Sequence, residues 1–403
     1  MEWKEVKIGD LGQIITGKTP KTAIRENWGG KIPFLSPSDD MSNKTSPVTA
    51  RTLTELGVAE VAKCLIPANS ICVSCIGSDL GKVVKTDREL VTNQQINTIV
   101  PHSNVDSDFV YYLMCIVGKE LNYISKTSTA VPIINKSTFS DWNIVIPEKV
   151  DDQRRIASIL SSLDRKIELN NKINADLEEM AQAIFKNWFV DFEPFKDGKF
   201  VDSELGMIPE GWKVGTLGEF CKCLLGGTPS RSKEEYWNGE VNWINSGEIN
   251  KFRILEASEK ITELGLAKSA TKLLPKKTTV LAITGATLGQ VSLLEIDTCA
   301  NQSVIGVLEN TEVPYEYIYP FIKDRIEMLI QHQTGGAQQH INKDNVESLI
   351  FLLPAINVLE DYISLVSPMY KRIESQCFEN LYLSTLRDTL LPRLMSGELE
   401  VPE

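Results

Sequence analysis

The sequence of 403 residues has few of the features by which membrane and exported proteins are identified. No apolar run approaches the roughly 18 residues that a membrane-spanning helix needs. The residues Met1 to Glu5 are polar, and no apolar signal-peptide core follows them. Both absences favour an intracellular protein, and we expect a cytoplasmic one.

Motifs of catalysis are also missing. The sequence has no Gly-x-x-x-x-Gly-Lys-Ser/Thr loop for a nucleotide phosphate and no Asn/Asp-Pro-Pro-aromatic motif of amino-methyltransferases. It has three histidines, and none of them recurs at an equivalent place in the two halves of the chain. We therefore expect no catalytic residue and infer that the chain is not an enzyme by itself.

Cysteine occurs eight times but forms no metal-binding pattern. Cys72-x-x-Cys75 has the spacing of a zinc or redox pair, yet no second pair or nearby histidine completes a set of four ligands. The pair lies in the apolar run Ser70–Ile76, which is typical of a buried strand. We expect packing roles for both cysteines, reduced thiols and no metal site.

Basic residues are outnumbered, and the net charge is −12. Residues 1–147 are neutral, with 15 basic and 15 acidic side chains, whereas 148–204, 205–354 and 355–403 each carry −4. Tight DNA binding by one protein requires lysine and arginine at the phosphates. If DNA is the target, we expect a partner protein to supply much of the positive charge.

The sequence does contain a duplication. Motifs of the first half return in the second half at offsets of 209 to 207 residues. The pairs are Trp3-Lys4 with Trp212-Lys213, Gly17-Lys18-Thr19-Pro20 with Gly226-Gly227-Thr228-Pro229, Asn93-Gln94 with Asn301-Gln302, and Ile134-Asn135-Lys136 with Ile341-Asn342-Lys343. A period of half the chain indicates a duplicated domain, because solenoid units are far shorter.

Each repeat consists of a globular part and a long helical part. The globular parts mix short apolar runs with glycine, proline and asparagine, which predicts α+β domains. Predicted strands are Ile71–Ile76, Ile96–Val100, Ile144–Ile146, Thr279–Ile283, Val304–Leu308 and Leu349–Leu353, and predicted helices are Asp108–Ile116 and Tyr315–Ile330. The predicted division is 1–147 for the first domain, 148–192 for its helix, 193–208 for a linker, 209–354 for the second domain, 355–397 for its helix and 398–403 for a tail.

The first long helix has a heptad pattern. From Ile156 to Trp188 its apolar positions alternate spacings of four and three, interrupted by Asn170 and Asn174. These two asparagines either fix the register of a helix pair or face solvent. In the second helix Pro368 predicts a kink or a late start, and Gly397 is a stop signal. We expect the helices to pack as an antiparallel coiled coil, with a pseudo-two-fold axis at their middle.

These motifs together resemble the specificity (S) subunit of type I restriction-modification enzymes. Trp212–Glu219 and Gly226–Ser230 resemble the opening of that family's target recognition domain. Trp188–Pro194 resembles its central conserved region, and Leu386–Leu399 its distal conserved region. The likeness extends over nearly the whole chain. Copy 1 departs from the Gly-Gly-Thr-Pro motif at Lys18.

The resemblance implies a function and a set of partners. Each target recognition domain would read half of a split target in double-stranded DNA, and the helices would set the spacing. The helices would also bind two modification subunits that methylate adenine with S-adenosylmethionine, and restriction subunits would complete the complex. Cofactors, namely S-adenosylmethionine, ATP and Mg, are expected on the partner subunits and none on this chain. The alternatives are a non-catalytic coiled-coil scaffold for two protein ligands and a cut-down restriction-methyltransferase fusion.

Candidate DNA-binding residues are polar side chains in loops where the two copies differ between shared landmarks. They are Lys18, Thr19, Lys21, Arg25, Ser36, Ser38, Thr127, Ser128 and Lys136 in copy 1, and Thr228, Ser230, Arg231, Asn245, Ser246, Thr334, Gln338, Gln339, His340 and Lys343 in copy 2. A solvated charged loop is the alternative for the residues of the basic loops, and a helix cap is the alternative for Ser36, Ser38, Asn245 and Ser246. The shared Asn-Gln pairs are expected to have a structural role.

Candidate partner-binding residues are the aromatic side chains at the end of the first helix. They are Phe185, Trp188, Phe189 and Phe192. The alternative is that these residues pack the helix against a domain of the same chain.

Overall fold

The computed structural model describes residues 1–41, 44–45, 47–127, 133–331 and 341–401. The chain divides into two compact units. Unit 1 comprises Met1–Leu169 and Asn380–Glu403, and unit 2 comprises Asn170–Glu379. In the described part of the chain, no helix has the length and apolar character needed to cross a membrane.

The globular part of unit 1 combines short strands with three helices. Its strands are β1 (Trp3–Lys7), β2 (Gly12–Thr16), β3 (Trp28–Leu35), β4 (Arg51–Leu53), β5 (Leu65–Ile66), β6 (Ile71–Ser74), β7 (Val83–Lys85), β8 (Leu90–Thr92), β9 (Ile96–Pro101) and β10 (Asn143–Pro147). Its helices are α1 (Glu55–Glu60), α2 (Ser107–Thr127) and α3 (Lys136–Ser140), followed by the long α4 (Val150–Phe189).

These strands form two four-stranded sheets and one pair. The sheet orders are β2-β9-β6-β7 and β4-β3-β8-β5, and β1 pairs with β10. The antiparallel β1–β10 pair aligns Trp3 with Pro147 and so brings the two ends of the domain together beside the start of α4. Burying a hydrophobic face of α2 against the first sheet gives the main core of the unit.

Unit 2 repeats this set of elements. Its strands are β11 (Phe200–Ser203), β12 (Gly206–Pro209), β13 (Lys213–Thr216), β14 (Lys222–Leu225), β15 (Trp237–Ile244), β16 (Arg253–Ile254), β17 (Glu259–Ile261), β18 (Leu273–Leu274), β19 (Thr279–Ala282), β20 (Val291–Leu294), β21 (Thr298–Ala300), β22 (Val304–Leu308) and β23 (Ile350–Leu353). Its helices are α5 (Leu217–Phe220), α6 (Glu263–Ala267), α7 (Tyr315–Gln331) and α8 (Lys343–Glu347), and the long α9 (Ile356–Met395), like α4, has residues in both units.

The sheet orders of unit 2 match those of unit 1 strand for strand. They are β14-β22-β19-β20-β16 and β17-β15-β21-β18, with β13 paired to β23. The edge strand β16 has no counterpart among the named strands of unit 1, and the hairpin β11–β12 begins in the segment predicted as a linker and ends one residue beyond it, at Pro209. The predicted α+β class and internal repeat are therefore confirmed.

The cysteines have the packing role that was predicted. Cys72 and Cys75 are buried at β6, and all eight thiols of the chain are free. Burial raises the pKa of Cys72 to about 12 and that of Cys75 to about 11, so both thiols are protonated at neutral pH. A buried, protonated thiol behaves as a small apolar side chain.

Both long helices have 40 residues. Of the two alternatives for Pro368, a kink or a late start, the late start is wrong because α9 begins at Ile356. Pro368 is exposed, and Val366 and Tyr370 on either side of it are buried, so packing holds the helix together through the proline. Gly397 follows the end of α9 with φ of 76°, as expected of a helix stop.

The helices pack in opposite directions within each unit. In unit 1, Asp164 of α4 binds Arg387 of α9 with 2.8 Å between Oδ1 and Nη1. In unit 2, Asn174 contacts Cys377 and the ring of Phe185 lies 6.5 Å from that of Tyr362. The partner's number falls as the number along α4 rises, which is the antiparallel arrangement that was predicted.

Asn170 of α4 forms a hydrogen bond with α9. Its Oδ1 accepts a hydrogen bond of 3.0 Å from Nε2 of Gln376. Each of these two residues lies twenty residues after the first residue of its helix, so equivalent positions meet each other. Asn170 is 0% exposed and Asn174 is 2% exposed. The alternative that they face solvent is therefore wrong, and register fixing by buried polar groups accounts for them.

Candidate nucleic-acid interface

The loop that follows β2 in the first domain, and the loop that follows β14 in the second, each lie against the turn that contains the Asn-Gln pair. In copy 1 the Lys18 N–H donates to the Thr92 carbonyl at 2.9 Å. In copy 2 the Gly227 N–H donates to the Ala300 carbonyl at 2.8 Å. A Cβ atom on Gly17 would lie 2.2 Å from the Asn93 carbonyl oxygen, and one on Gly226 would lie 2.1 Å from that of Asn301. Only glycine permits this close approach of backbones.

A threonine–glutamine hydrogen bond fixes this loop in both copies. The Thr19 hydroxyl donates to Oε1 of Gln94 at 2.8 Å, and the Thr228 hydroxyl donates to Oε1 of Gln302 at 2.5 Å. Asn93 in turn accepts from the Gln95 N–H at 3.0 Å. The shared Asn-Gln pairs thus have the structural role that was predicted, and Thr19 and Thr228 are each hydrogen-bonded to one of them.

The loop of copy 1 presents three cations. Lys18, Lys21 and Arg25 are all exposed, and none of them forms an ion pair with a described residue. Their charges are therefore available to an anionic ligand. The geometry also permits the solvated-loop alternative, so their contact with DNA stays a prediction.

The loop of copy 2 has two cations, of which Lys233 is exposed and donates to the Tyr236 hydroxyl at 3.0 Å, while Arg231 is paired with a carboxylate. The guanidinium of Arg231 stacks 3.6 Å above the ring of Trp237 and forms two hydrogen bonds with the carboxylate of Glu259. The hydrogen bond to Arg231 lowers the pKa of Glu259, and the same bond raises the pKa of Arg231. Ser230, at the same loop, is exposed and its Oγ lies 2.9 Å from that of Ser232.

Arg51 occupies the corresponding place in copy 1 and was missed by sequence reasoning. Its guanidinium lies 4.7 Å from the centre of the Trp28 ring and 5.1 Å from that of Phe34. Arg51 pairs with Phe34 in the β3–β4 ladder, just as Glu259 pairs with Trp243 in the β15–β17 ladder. Alignment of the repeats therefore matches Arg51 with an acidic residue, and no signal in the sequence indicated that both copies place an arginine on the shared tryptophan.

The turns after β3 and β15 are stabilised by side-chain caps. Ser36 is buried, and both its N–H and its hydroxyl donate to Oδ2 of Asp39 at 2.7 Å. Oδ1 of Asn245 accepts from the Gly247 N–H at 2.8 Å, and Ser246 begins the short helix that this bond caps. Asn245 thus has the helix-capping role that was the alternative, whereas Ser36 stabilises a turn rather than the start of a helix, and Ser38 is exposed.

The remaining candidates lie near the ends of helices. Thr127 ends α2 with its hydroxyl bonded to the Tyr123 carbonyl at 3.0 Å. Lys136 begins α3 and is exposed. Its counterpart Lys343 begins α8 and binds Glu347 at 3.0 Å. The candidates outside the described residues are Ser128, Thr334, Gln338, Gln339 and His340.

The structure brings part of the candidate set together. The Asn93 N–H donates to the Leu35 carbonyl at 2.9 Å, so the turn that begins at Ser36 and the loop of Lys18 and Thr19 meet at the Asn-Gln turn. Lys136 is not joined to this group by any hydrogen bond between described residues. It follows the Ile134 backbone, whose N–H donates to the Cys75 carbonyl at 2.9 Å.

The candidate partner-binding aromatics pack inside unit 2. Phe185 and Phe189 are 2% and 5% exposed, and the ring of Phe189 lies 4.8 Å from those of Tyr317 and Tyr362. Trp188 and Phe192 are half-buried in the same core. The described contacts are those of the packing alternative, and they leave Phe185 and Phe189 little surface for a partner.

Two like domains, each with a variable polar loop on a shared scaffold and each joined to a 40-residue helix, define a duplicated recognition protein. The family model of the type I restriction modification DNA specificity domain matches residues 1–179 and 209–376, and the chain belongs to this family. The resemblance drawn from the sequence motifs is therefore confirmed.

Relatives are similar over the full length of the chain. The MjaIX type I restriction enzyme specificity subunit of Methanocaldococcus jannaschii is 30% identical, with 100% of this chain and 94% of the relative covered. The HindI specificity subunit of Haemophilus influenzae is 24% identical, with 99% and 100% covered. The crystal structure of the type I S subunit from M. genitalium superposes with a TM-score of 0.58 at 16% identity, covering 100% of this chain and 97% of that one. This likeness shows the same fold.

Proposed function

We propose that this chain reads the DNA sequence for a type I restriction-modification complex and performs no catalysis itself. Each domain reads one half of a split target in double-stranded DNA. One observation carries the proposal: the two domains share their strand order and the threonine–glutamine bond, but the exposed side chains on that common scaffold differ. A shared framework with unlike polar surfaces is suited to two unlike half-sites.

Recognition of bases requires donors and acceptors at the groove edges, while contacts to phosphate fix orientation. The exposed cations Lys18, Lys21 and Arg25 suit the phosphates of one half-site. In the second domain Glu259 binds Arg231, and Ser230 and Lys233 are exposed, so that loop offers a hydroxyl group, a paired guanidinium and one ammonium group. We expect the two half-sites to be unrelated in sequence.

The paired helices set the gap between the half-sites and bind two modification subunits. Those subunits would use S-adenosylmethionine to methylate adenine, and restriction subunits with ATP and Mg would complete the complex. The net charge of −12 supports this division, because the partners would then supply cations that hold the DNA backbone.

The test is a map of methylated adenines in DNA from cells that express this chain with its modification subunit. A methylated motif of two unlike halves with a fixed gap is the expected result. The matched control omits this chain and retains the modification subunit, and the new motif should then be absent. A scaffold without DNA specificity would leave the map unchanged although the partner is active and bound, and that outcome would refute the proposal.

A further inference from the structure

A buried tyrosine of the first domain binds the long helices of unit 1. Tyr112 of α2 donates its hydroxyl hydrogen bond to Asp164 of α4, and Arg387 of α9 binds the other carboxylate oxygen at 2.8 Å. Lys44 donates to the Tyr112 oxygen at 3.1 Å and to the hydroxyl of Ser161 at 2.8 Å. We name Tyr112, Asp164, Arg387 and Lys44 the Tyr112 cluster.

A similar cluster joins the second domain to α4 within unit 2. The Tyr319 hydroxyl of α7 donates to Oε1 of Glu178 at 2.6 Å. Arg253 of β16 donates to Oε2 of the same carboxylate at 2.6 Å, and Lys323 donates to Oε1 at 2.8 Å. Glu178 is 8% exposed and Arg253 is 4% exposed. We name Tyr319, Glu178, Arg253 and Lys323 the Tyr319 cluster.

The two clusters are alike in plan but not in their residues. Tyr112 and Tyr319 are equivalent, since they differ by 207 positions, the same offset that relates Ile134 to Ile341. Their acceptors are not equivalent: Asp164 and Glu178 both belong to α4, in its first and second halves. Each domain thus contacts the long helices through a tyrosine–carboxylate hydrogen bond, but the two carboxylates occupy positions that are not equivalent.

The hydrogen bonds of the two clusters restrict the orientation of each domain on its helices in a way that apolar packing does not. Hydrophobic burial is non-directional and tolerates small rotations. A buried carboxylate that accepts several charge-assisted hydrogen bonds has a narrow range of acceptable geometry, and leaving it without partners is costly. Rotation or sliding of either domain on its helices would break the hydrogen bonds of its cluster.

We propose that Asp164 and Glu178 are positioning residues that fix the orientation of each domain on the long helices, and that they thereby determine how strictly the complex enforces the gap between half-sites. This inference rests on the proposed function. In this inference the helices determine the length of the gap, and the two clusters determine how far the complex accepts a longer or shorter gap.

The experiment measures methylation by the assembled complex on a library of split targets with the wild-type gap and with gaps one or two base pairs longer or shorter. The variants are Tyr319→Phe and Glu178→Gln. Loss of a buried charge-assisted hydrogen bond corresponds to roughly a tenfold change in discrimination. We expect methylation at the neighbouring gaps to rise about tenfold relative to the wild-type gap, with the bases of each half unchanged.

Tyr317→Phe is the matched control. Tyr317 is on the same helix and is equally buried, but its hydroxyl donates to the Leu352 carbonyl of its own domain at 2.5 Å. It should lower stability without altering gap preference. If Glu178→Gln does not fold, Lys323→Met replaces it as the test variant, because it removes only a half-exposed cation. Glu178→Asp keeps the carboxylate and should therefore retain more of the gap discrimination than Glu178→Gln.

An unchanged gap profile in variants that fold and assemble would overturn the inference, even if they unfold at lower temperature. A wild-type complex that methylates no split target would refute the proposed function instead, and the two failures are therefore distinguishable.

Discussion

At the scale of single residues, the two domains keep a guanidinium at one place while changing the residue that supplies it. Arg51 reaches the Trp28 ring from β4, and Arg231 reaches the Trp237 ring from the preceding loop. Stacking on an indole holds a guanidinium rigidly and leaves its N–H edges free for an anion. In the first domain those edges have no acidic partner among the described residues, whereas in the second they bind Glu259.

The first prediction concerns Arg51. If its guanidinium contacts a phosphate, Arg51→Ala should weaken DNA binding by the assembled complex about uniformly across sequences and lower the salt slope by about 1. Titration at several salt concentrations measures both quantities. Arg88→Ala is the control, because Arg88 is exposed and already paired with Asp87 at 2.8 Å. Equal affinity and slope in wild type and Arg51→Ala would contradict the assignment.

The second prediction concerns the pH dependence of stability. Burial alone would raise the pKa of Glu178, but the charges of Arg253 and Lys323 and the hydrogen bonds it accepts outweigh burial and lower it. A carboxyl group whose pKa is lower in the folded state stabilises the fold above its unfolded value of 4.5. That contribution is lost as the pH falls through the folded pKa.

The free energy of unfolding of wild type should therefore approach that of Glu178→Gln as the pH falls below about 4.5, measured by urea denaturation. The contribution of Glu295 to stability should have the opposite dependence on pH. Burial raises its pKa, so its contribution declines as the pH rises through the folded value. The free energy of unfolding of wild type, relative to that of Glu295→Gln, should therefore decrease as the pH rises. A constant difference for Glu178→Gln across this range would count against the ionic description of the cluster.

At the scale of elements, the sequence pattern was sufficient to predict a strand or helix wherever burial imposed a periodic pattern or a continuous run of apolar residues. The predicted strand Ile96–Val100 is β9, and the heptad of the first helix corresponds to α4. Two-residue strands such as β5 and β18 have too few residues to show any period, and they exist because neighbouring strands accept their hydrogen bonds. Pro368 does not delay the start of α9, because the packing of Val366 and Tyr370 offsets the low helix propensity of proline.

The third prediction tests the helices as a ruler. Deleting residues 167–173 from α4 and 373–379 from α9 removes one heptad from equivalent places. Seven residues correspond to about 10 Å of helix, or about three base pairs of DNA. The gap in the methylated motif should shorten by that amount, or assembly should be lost, while the bases of each half stay the same. A change in the bases read would contradict the division of labour between helices and domains.

At the scale of the whole molecule, the family and the duplicated plan could be inferred from sequence, but the recognition chemistry could not. The motifs that identify the family are scaffold: Gly17 permits a close backbone approach, and Gln94 binds Thr19. Candidates chosen for polarity include Ser36 and Asn245, which cap turns. Arg51 was overlooked because its counterpart is Glu259. A polar residue in a loop has the same sequence signature whether it stabilises the loop or extends from it.

The distribution of charge gives the last prediction. Residues 1–147 are neutral and each later segment is −4, so the isolated chain has little long-range attraction for a polyanion. We expect the isolated chain to bind its target weakly near physiological salt and the complex with modification subunits to bind orders of magnitude more tightly. The comparison requires titration of one labelled duplex by the chain, by the modification subunit alone and by both together, with a scrambled duplex as control.

The salt dependence identifies the source of that affinity. If the partner supplies most phosphate contacts, the slope of log affinity against log salt should be steep for the complex and shallow for this chain. Equally steep slopes, or tight and specific binding by the isolated chain, would show that its own exposed cations hold the backbone. Lys18, Lys21 and Arg25 would then be the first residues to replace, since none of them forms an ion pair with a described residue.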